Sequence, residues 1–226
     1  MNHLNLKAFA GLVALFVFMA AALFISAWTF YYWQAWVFLA VFFGSAFVIT
    51  VYLMKKDPKL LERRTTVGPT SEKEKSQKII QSIAQVAFLL VIIFPALDHR
   101  FGWSIVVPPY VNMVGDLLVA IGFYIVFLVF KENSYASALI EVDTEQKVIS
   151  SGLYAHVRHP MYSGALILLL GTPLALGSWW GVLTMIPITA VIVWRLLDEE
   201  RFLIKNLPDY TGYKEKVKYR LVPFVW

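Results

Sequence analysis

No cysteine occurs anywhere in the 226 residues, which excludes disulfide frameworks, thiolate zinc sites, iron–sulfur clusters and cysteine nucleophiles. Charge is scarce as well: Asp, Glu, Lys and Arg make up 15% of the chain, against about 25% in a typical soluble domain. Hydrophobic residues reach 59%, where soluble domains carry about 45–50%. This balance excludes a disordered chain and argues against a water-soluble globule. A Gly-rich phosphate loop, a Ser–His–Asp order and a His-Glu-x-x-His motif are all missing. So are the charged spans of a voltage sensor and the interrupted repeats of a transporter. No internal repeat or low-complexity tract is visible.

What is present is a series of long apolar runs. A bilayer core of about 30 Å takes roughly 20 residues of helix. Six stretches meet or approach that length: Ala8–Ala27, Ala35–Met54, Ile79–Leu97, Pro109–Phe130, Met161–Gly177 and Ser178–Leu197. The first is too long and uninterrupted for a cleaved signal and is expected to be a retained span. The fifth is short and carries Gly171-Thr172-Pro173, so a kink or a tight hairpin with the sixth is expected. The net charge of +5 raises the question of nucleic acid, and the placement of the cations answers it. With six spans and a cytoplasmic N-terminus, nineteen of the twenty Lys and Arg residues fall inside and Arg100 alone outside. The positive-inside rule then orients the chain with both termini cytoplasmic and explains the basic character without nucleic acid. The expected fold is an all-α integral, multi-pass membrane protein of about six transmembrane helices. Its last two spans form a helical hairpin followed by an amphipathic C-terminal helix.

Polar residues that look placed for a purpose concentrate in the second half. Residues 1–130 read as a four-span membrane region, and residues 131–226 as the core that carries the chemistry. The mixed-charge Ser71–Ser76 stretch reads as the solvated start of the third span. In Ser151-Gly152-Leu153-Tyr154-Ala155-His156-Val157-Arg158-His159-Pro160-Met161-Tyr162-Ser163-Gly164, Pro160 keeps His159 out of the helical region and opens the next helix. The unpaired N–H groups of that helix start suit an anionic group beside Arg158 and His159. A basic membrane-flanking turn is an equally good reading of the same residues. His156 and His159 are three apart, but with no cysteine and a proline breaking the geometry no metal is expected there.

Further on, Arg195 and Glu199 share one helix face at a spacing of four. The run Asp198-Glu199-Glu200 stands at the expected cytoplasmic end of the last span, against the helix dipole, so a ligand or cationic partner is expected to offset it. Tyr210, Tyr213, Val217 and Leu221 form an amphipathic stripe, with Lys214, Lys216, Lys218 and Arg220 elsewhere around it. That tail reads as an interfacial anchor or as a lid over a cytoplasm-facing site. Asp116, about 9 Å into its span, is expected to hydrogen-bond a neighbouring helix.

Taken together, Gly152-Leu153-Tyr154, Arg158-His159-Pro160-Met161-Tyr162-Ser163-Gly164, Arg195 with Glu199-Glu200, and Tyr210, Tyr213, Val217, Arg220 and Pro223 resemble the isoprenylcysteine carboxyl methyltransferase family. The related phospholipid N-methyltransferases share much of the pattern. The resemblance covers roughly residues 131–226, and the first four spans match only in hydropathy. One departure is Leu207-Pro208-Asp209-Tyr210, where many relatives have a longer connection. The resemblance implies an S-adenosylmethionine-dependent membrane methyltransferase without a Rossmann domain and without a metal. It implies cofactor contacts from Gln146, Lys147, Val148, Ile149, Tyr154, His159, Pro160, Met161, Tyr162 and Glu199. Arg195 matches the family arginine that faces the methyl acceptor, and Glu200 joins it as a substrate-side residue.

The implied acceptor is a lipophilic molecule embedded in the bilayer, an isoprenylcysteine-like carboxylate. Guanidinium suits a carboxylate, whereas an amine acceptor would favour an acid near the donor methyl. Glu200 keeps a phospholipid or small-amine N-methyltransferase open as the alternative. A non-catalytic lipid-binding scaffold is the second.

Overall fold

The computed structural model describes residues 3–65, 74–140, 142–143 and 146–226. Within them every regular element is helical. The helices are α1 (His3–Ala27), α2 (Trp33–Lys56), α3 (Pro58–Thr65), α4 (Lys75–Phe101), α5 (Pro109–Glu132), α6 (Pro160–Ala175), α7 (Met185–Asn206) and α8 (Tyr210–Lys216). Single 3-10 turns, Gly152–Ala155 and Trp180–Thr184, precede α6 and α7.

Five helical stretches are long and apolar enough to cross a bilayer: α1, α2, α4, α5 and Trp180–Asn206. The fifth expected span is the exception. α6 has 16 residues, or about 24 Å at 1.5 Å per residue, which falls short of the hydrocarbon thickness. The last span is also displaced from its expected bounds. Its α-helix starts at Met185 and continues to Asn206, so Asp198, Glu199 and Glu200 lie inside the helix rather than at its end. The lone dipole argument therefore does not account for them, and specific partners do. Ser71–Lys73 of the mixed-charge stretch lie outside the described residues, and α4 begins at Lys75.

The last two spans touch each other, but each has a larger partner elsewhere. α6 beds against α5, and α7 packs mainly on α4. Glycines explain the first contact. Gly115 and Gly122 on α5 face Gly171 and Gly164 on α6, and a Cβ at any of the four would lie within 3.0 Å of atoms on the other helix. At Gly115 it would stand 2.2 Å from the Ala175 backbone nitrogen. Small residues let two backbones approach where lipid offers no hydrophobic drive for association. Asn112 adds a hydrogen bond from Nδ2 to the Leu174 carbonyl at 2.8 Å. This is the inter-helix bond expected of Asp116, which instead keeps Oδ1 buried without a partner among the described residues.

At the end of the bundle remote from the basic loops, Asp98 accepts from the Ser104 backbone N–H at 2.6 Å and from the Ser178 hydroxyl. α4 closes on Gly102 in the left-handed conformation, the common helix stop. Trp28, Trp33, Trp103, Tyr110 and Trp180 are exposed around this end, as an aromatic belt at a membrane interface requires. The large exposed apolar surfaces of α1 and α2 fit lipid rather than water.

At the opposite end, α3 folds part of the basic segment between the second and third apolar runs. Pro58 starts it, the Asp57 carboxylate caps the Leu60 N–H at 3.0 Å, and Leu60 and Leu61 are buried. Asp followed by Pro is a local helix-start signal. The amphipathic C-terminal helix is shorter than expected: it stops at Lys216, and residues from Val217 on turn back across the start of α6. The whole stripe Tyr210, Tyr213, Val217 and Leu221 is buried.

Candidate active site

Three local features build one cleft at the basic end. The first is the start of α6. His159 takes a non-helical conformation (φ −126°, ψ 60°) and Pro160 occupies the first helical position. The second is the tail: Tyr219 and Arg220 carbonyls accept the Arg158 and His159 N–H groups, both at 2.9 Å. The third is α7, which carries three acids to three separate sets of partners. Asp198 accepts from Ser76 at 3.0 Å and from Gln77. Glu199 accepts from the Tyr162 hydroxyl at 2.6 Å. Glu200 accepts from Arg158 Nε at 2.6 Å and Arg220 Nε at 3.0 Å, and faces His159 Nε2 at 3.2 Å.

Glu200 is thus the anionic group at the α6 start, where the sequence had suggested room for a ligand. Arg158 also donates Nη1 to the Val217 and Lys218 carbonyls at 2.8 and 2.9 Å. With its side chain 5% exposed, Glu200 joins α6, α7 and the tail into one buried knot.

The cleft lies between this knot and the segment 133–149. All ten residues expected to touch a cofactor line it: Gln146, Lys147, Val148, Ile149, Tyr154, His159, Pro160, Met161, Tyr162 and Glu199. Arg195 and Glu200 are not among its lining residues. The cleft encloses about 100 Å³ and opens to solvent at its mouth. Its walls also include Tyr210, Tyr213, Leu203 and Leu207. The buried Tyr210 hydroxyl has no hydrogen-bond partner among the described residues. Tyr213 donates to the Tyr154 carbonyl at 2.7 Å, and burial pushes both tyrosine hydroxyls, 210 and 213, well above the ordinary range. Tyr154 accepts from Asn133 at 2.9 Å, and burial lifts its pKa to about 12.

Arg195 sits one turn before Glu199 and farther from the basic end. It donates Nη1 to Gln77 Oε1 at 3.1 Å and Gln81 Oε1 at 2.7 Å, and Nη2 to the Ala138 carbonyl at 3.0 Å. The neighbouring Ser137 carbonyl takes Arg64 Nη1 from α3 at 3.1 Å. Burial lowers the Arg64 pKa to about 10, which still leaves it cationic near neutrality. Arg63 pairs with Asp143 at 2.6 Å. Among the described residues no three His, Asp or Glu side chains converge as a metal would need.

Known proteins share this arrangement of sequence. The family model described as phospholipid methyltransferase matches residues 111–209. The probable protein-S-isoprenylcysteine O-methyltransferases of Oryza sativa subsp. indica and subsp. japonica are each 28% identical over 205 residues, covering 85% of this chain and 97% of theirs. The protein-S-isoprenylcysteine O-methyltransferase of Schizosaccharomyces pombe is 34% identical over 76 residues, 31% of this chain and 30% of its own. The chain is thus similar to isoprenylcysteine O-methyltransferases over most of its length and to phospholipid methyltransferases over residues 111–209.

The phospholipid methyltransferase match runs from α5 to the connection before α8. It contains most of the cleft wall but stops short of Tyr210 and Tyr213, and it leaves out α3 and α4. Sequence reasoning missed the same part. Arg63, Arg64, Gln77 and Gln81 come from the half of the chain where little chemistry was expected. Gln77, Gln81 and Gln85 at spacings of four along the start of α4 were the available signal, since buried amides need partners.

Proposed function

We propose that this integral membrane protein is an S-adenosylmethionine-dependent methyltransferase for a lipophilic carboxylate held in the bilayer, an isoprenylcysteine-like acceptor. One observation carries the reading. Glu199 in the cleft wall and Arg195 one turn deeper lie on the same face of α7, with Tyr162 of α6 bonded to Glu199. A donor site open to water and a guanidinium nearer the apolar core thereby stand in sequence along one helix.

The donor set supports the cofactor. S-adenosylmethionine combines an ammonium, a carboxylate, ribose hydroxyls and a flat base. The cleft offers the Glu199 carboxylate, the unpartnered Tyr210 hydroxyl, the ring of Tyr154 and the apolar walls of Val148, Ile149, Leu203 and Leu207. Bound there, the cofactor supplies a sulfonium methyl already activated for in-line displacement. The protein's share of the work is alignment and exclusion of water. Glu199, fixed by Tyr162, holds amino or ribose groups of the donor. The His159–Met161 turn holds its amino-acid end. Arg195 turns the acceptor carboxylate toward the methyl and matches its charge. Tyr210, Tyr213 and the tail cover the cleft. With the cations crowded at this end, the site faces the cytoplasm.

The match to phospholipid methyltransferases favours a second reading, an amine acceptor. Glu200, the acid that would best serve an ammonium substrate, has both oxygens taken by Arg158, His159 and Arg220, which supports the carboxylate instead. Transfer of labelled methyl to prenylcysteine analogues and to phosphatidylethanolamine by the purified protein separates the two. Arg195→Ala is expected to abolish transfer while S-adenosylhomocysteine binding survives in calorimetry. Undiminished transfer would remove Arg195 from the mechanism. Absence of any S-adenosylhomocysteine binding to the wild-type protein would leave the scaffold reading.

A further inference from the structure

We infer that Gln77 and Gln81 of α4 are positioning residues for Arg195, so that the acceptor side of the site is completed by the half of the chain that holds none of the expected site residues. The inference rests on the proposed role of Arg195. Four residues apart, the two glutamines lie on one face of α4 and direct both side-chain oxygens at the same guanidinium nitrogen, Arg195 Nη1, at 3.1 and 2.7 Å. The Ala138 carbonyl takes Nη2 at 3.0 Å. A guanidinium bonded through both terminal nitrogens keeps a defined plane, and that plane decides how a carboxylate can approach it.

The orientation of the Gln77 amide is itself decided by its neighbours. Its Oε1 accepts from the Arg195 cation and its Nε2 donates to the Asp198 carboxylate. The reverse orientation would turn an N–H toward the cation and an oxygen toward the carboxylate. Gln77 is 1% exposed, so both ends must be satisfied for the side chain to be buried. Asp198 thereby acts through Gln77, and Ser76 secures Asp198 from the other side at 3.0 Å.

The chemistry of the holders matters as much as their number. The Gln77 and Gln81 amide oxygens and the Ala138 peptide oxygen are neutral, so these three bonds orient the guanidinium without themselves adding a counter-charge. A carboxylate in the place of Gln81 would hold Arg195 more firmly and weaken its attraction for an anionic acceptor. Simple helix–helix adhesion, the common use of polar side chains between membrane helices, makes the opposite demand: any side chain that keeps the bond should serve.

Gln81→Glu and Gln81→Ala decide between these. For Gln81→Glu the expectation is unchanged S-adenosylhomocysteine affinity, a melting temperature in detergent equal to or above wild type, and a KM for a prenylcysteine carboxylate raised by about tenfold or more, the scale of a charge-assisted hydrogen bond. Competition by the matching carboxamide should weaken far less than competition by the carboxylate. Gln81→Ala should raise KM more modestly and leave cofactor affinity intact. Wild-type kinetics in Gln81→Glu, with only Gln81→Ala impaired and melting lower, would reduce the glutamines to adhesion and overturn the inference. Full activity of Arg195→Ala is a different result, since it removes the function on which the inference stands.

Discussion

The Tyr162 hydroxyl donates to Glu199 Oε2 across 2.6 Å, joining the first turn of α6 to α7 inside the cleft. Hydrogen bonds to charged groups contribute about 1.5–3 kcal/mol. Tyr162→Phe is therefore expected to release the Glu199 carboxylate and to weaken S-adenosylhomocysteine binding by about tenfold. Titration calorimetry checks this, and an unchanged dissociation constant would detach Glu199 from donor binding.

The Glu200 knot is a matter of stability first. Removing one partner of a buried ion pair costs about 3–5 kcal/mol because the other charge stays buried and unpaired. Glu200→Ala leaves Arg158 in that position and also frees Arg220. A large fall in melting temperature is expected, together with faster tryptic cleavage after Lys218 as the tail lifts from α6. Resistance of the tail to trypsin in this variant would show that other contacts suffice to hold it.

Tyr210→Phe separates folding from binding. The Tyr210 hydroxyl is buried with no partner among the described residues, and an unsatisfied buried group costs about 1–3 kcal/mol. The ligand-free variant is expected to melt at or above the wild-type temperature. Its affinity for S-adenosylhomocysteine is expected to fall, since in the proposed function the cofactor supplies the missing partner. Loss of stability without loss of affinity would contradict this assignment.

The glycine seam between α5 and α6 tolerates no side chain. A Cβ on Gly122 would stand 2.6 Å from the Gly164 carbonyl oxygen, so Gly122→Val must push the helices apart. Overpacking typically costs about 1–3 kcal/mol, and a lower melting temperature with loss of activity is expected. Gly44→Ala is the control: nothing lies within 4 Å of its added Cβ, and alanine is the better helix former by about 1 kcal/mol. Equal behaviour of the two variants would refute close backbone packing at this seam.

Much of this molecule is legible one segment at a time. The apolar runs 8–27, 35–54, 79–97 and 109–130 all fall within helices, because a bilayer demands internal backbone bonding from any crossing segment. Pro160 opens α6 as its chemistry dictates. The ten expected cofactor contacts that line the cleft were reachable through the resemblance to a known family. α3 is not legible from pattern, although Asp57-Pro58 announces it, because eight residues make too few turns for a helical period to stand out within a basic segment.

Which helix lies beside which is another matter. Met161–Gly177 and Ser178–Leu197 are consecutive and do touch, but the glycines of α5 and α6 give α6 its main partner in α5. The sequence by itself determined the helical, membrane-spanning character, which follows from local composition, whereas the cleft residues were indicated by a family resemblance and not by spacing alone. Only the tertiary structure decided that Glu200 closes on Arg158 and that Gln77 and Gln81 hold Arg195. Lipid is as apolar as the side chains it solvates, so hydropathy cannot rank helix pairings. That choice falls to backbone shape and to a few polar bonds between residues far apart in the chain.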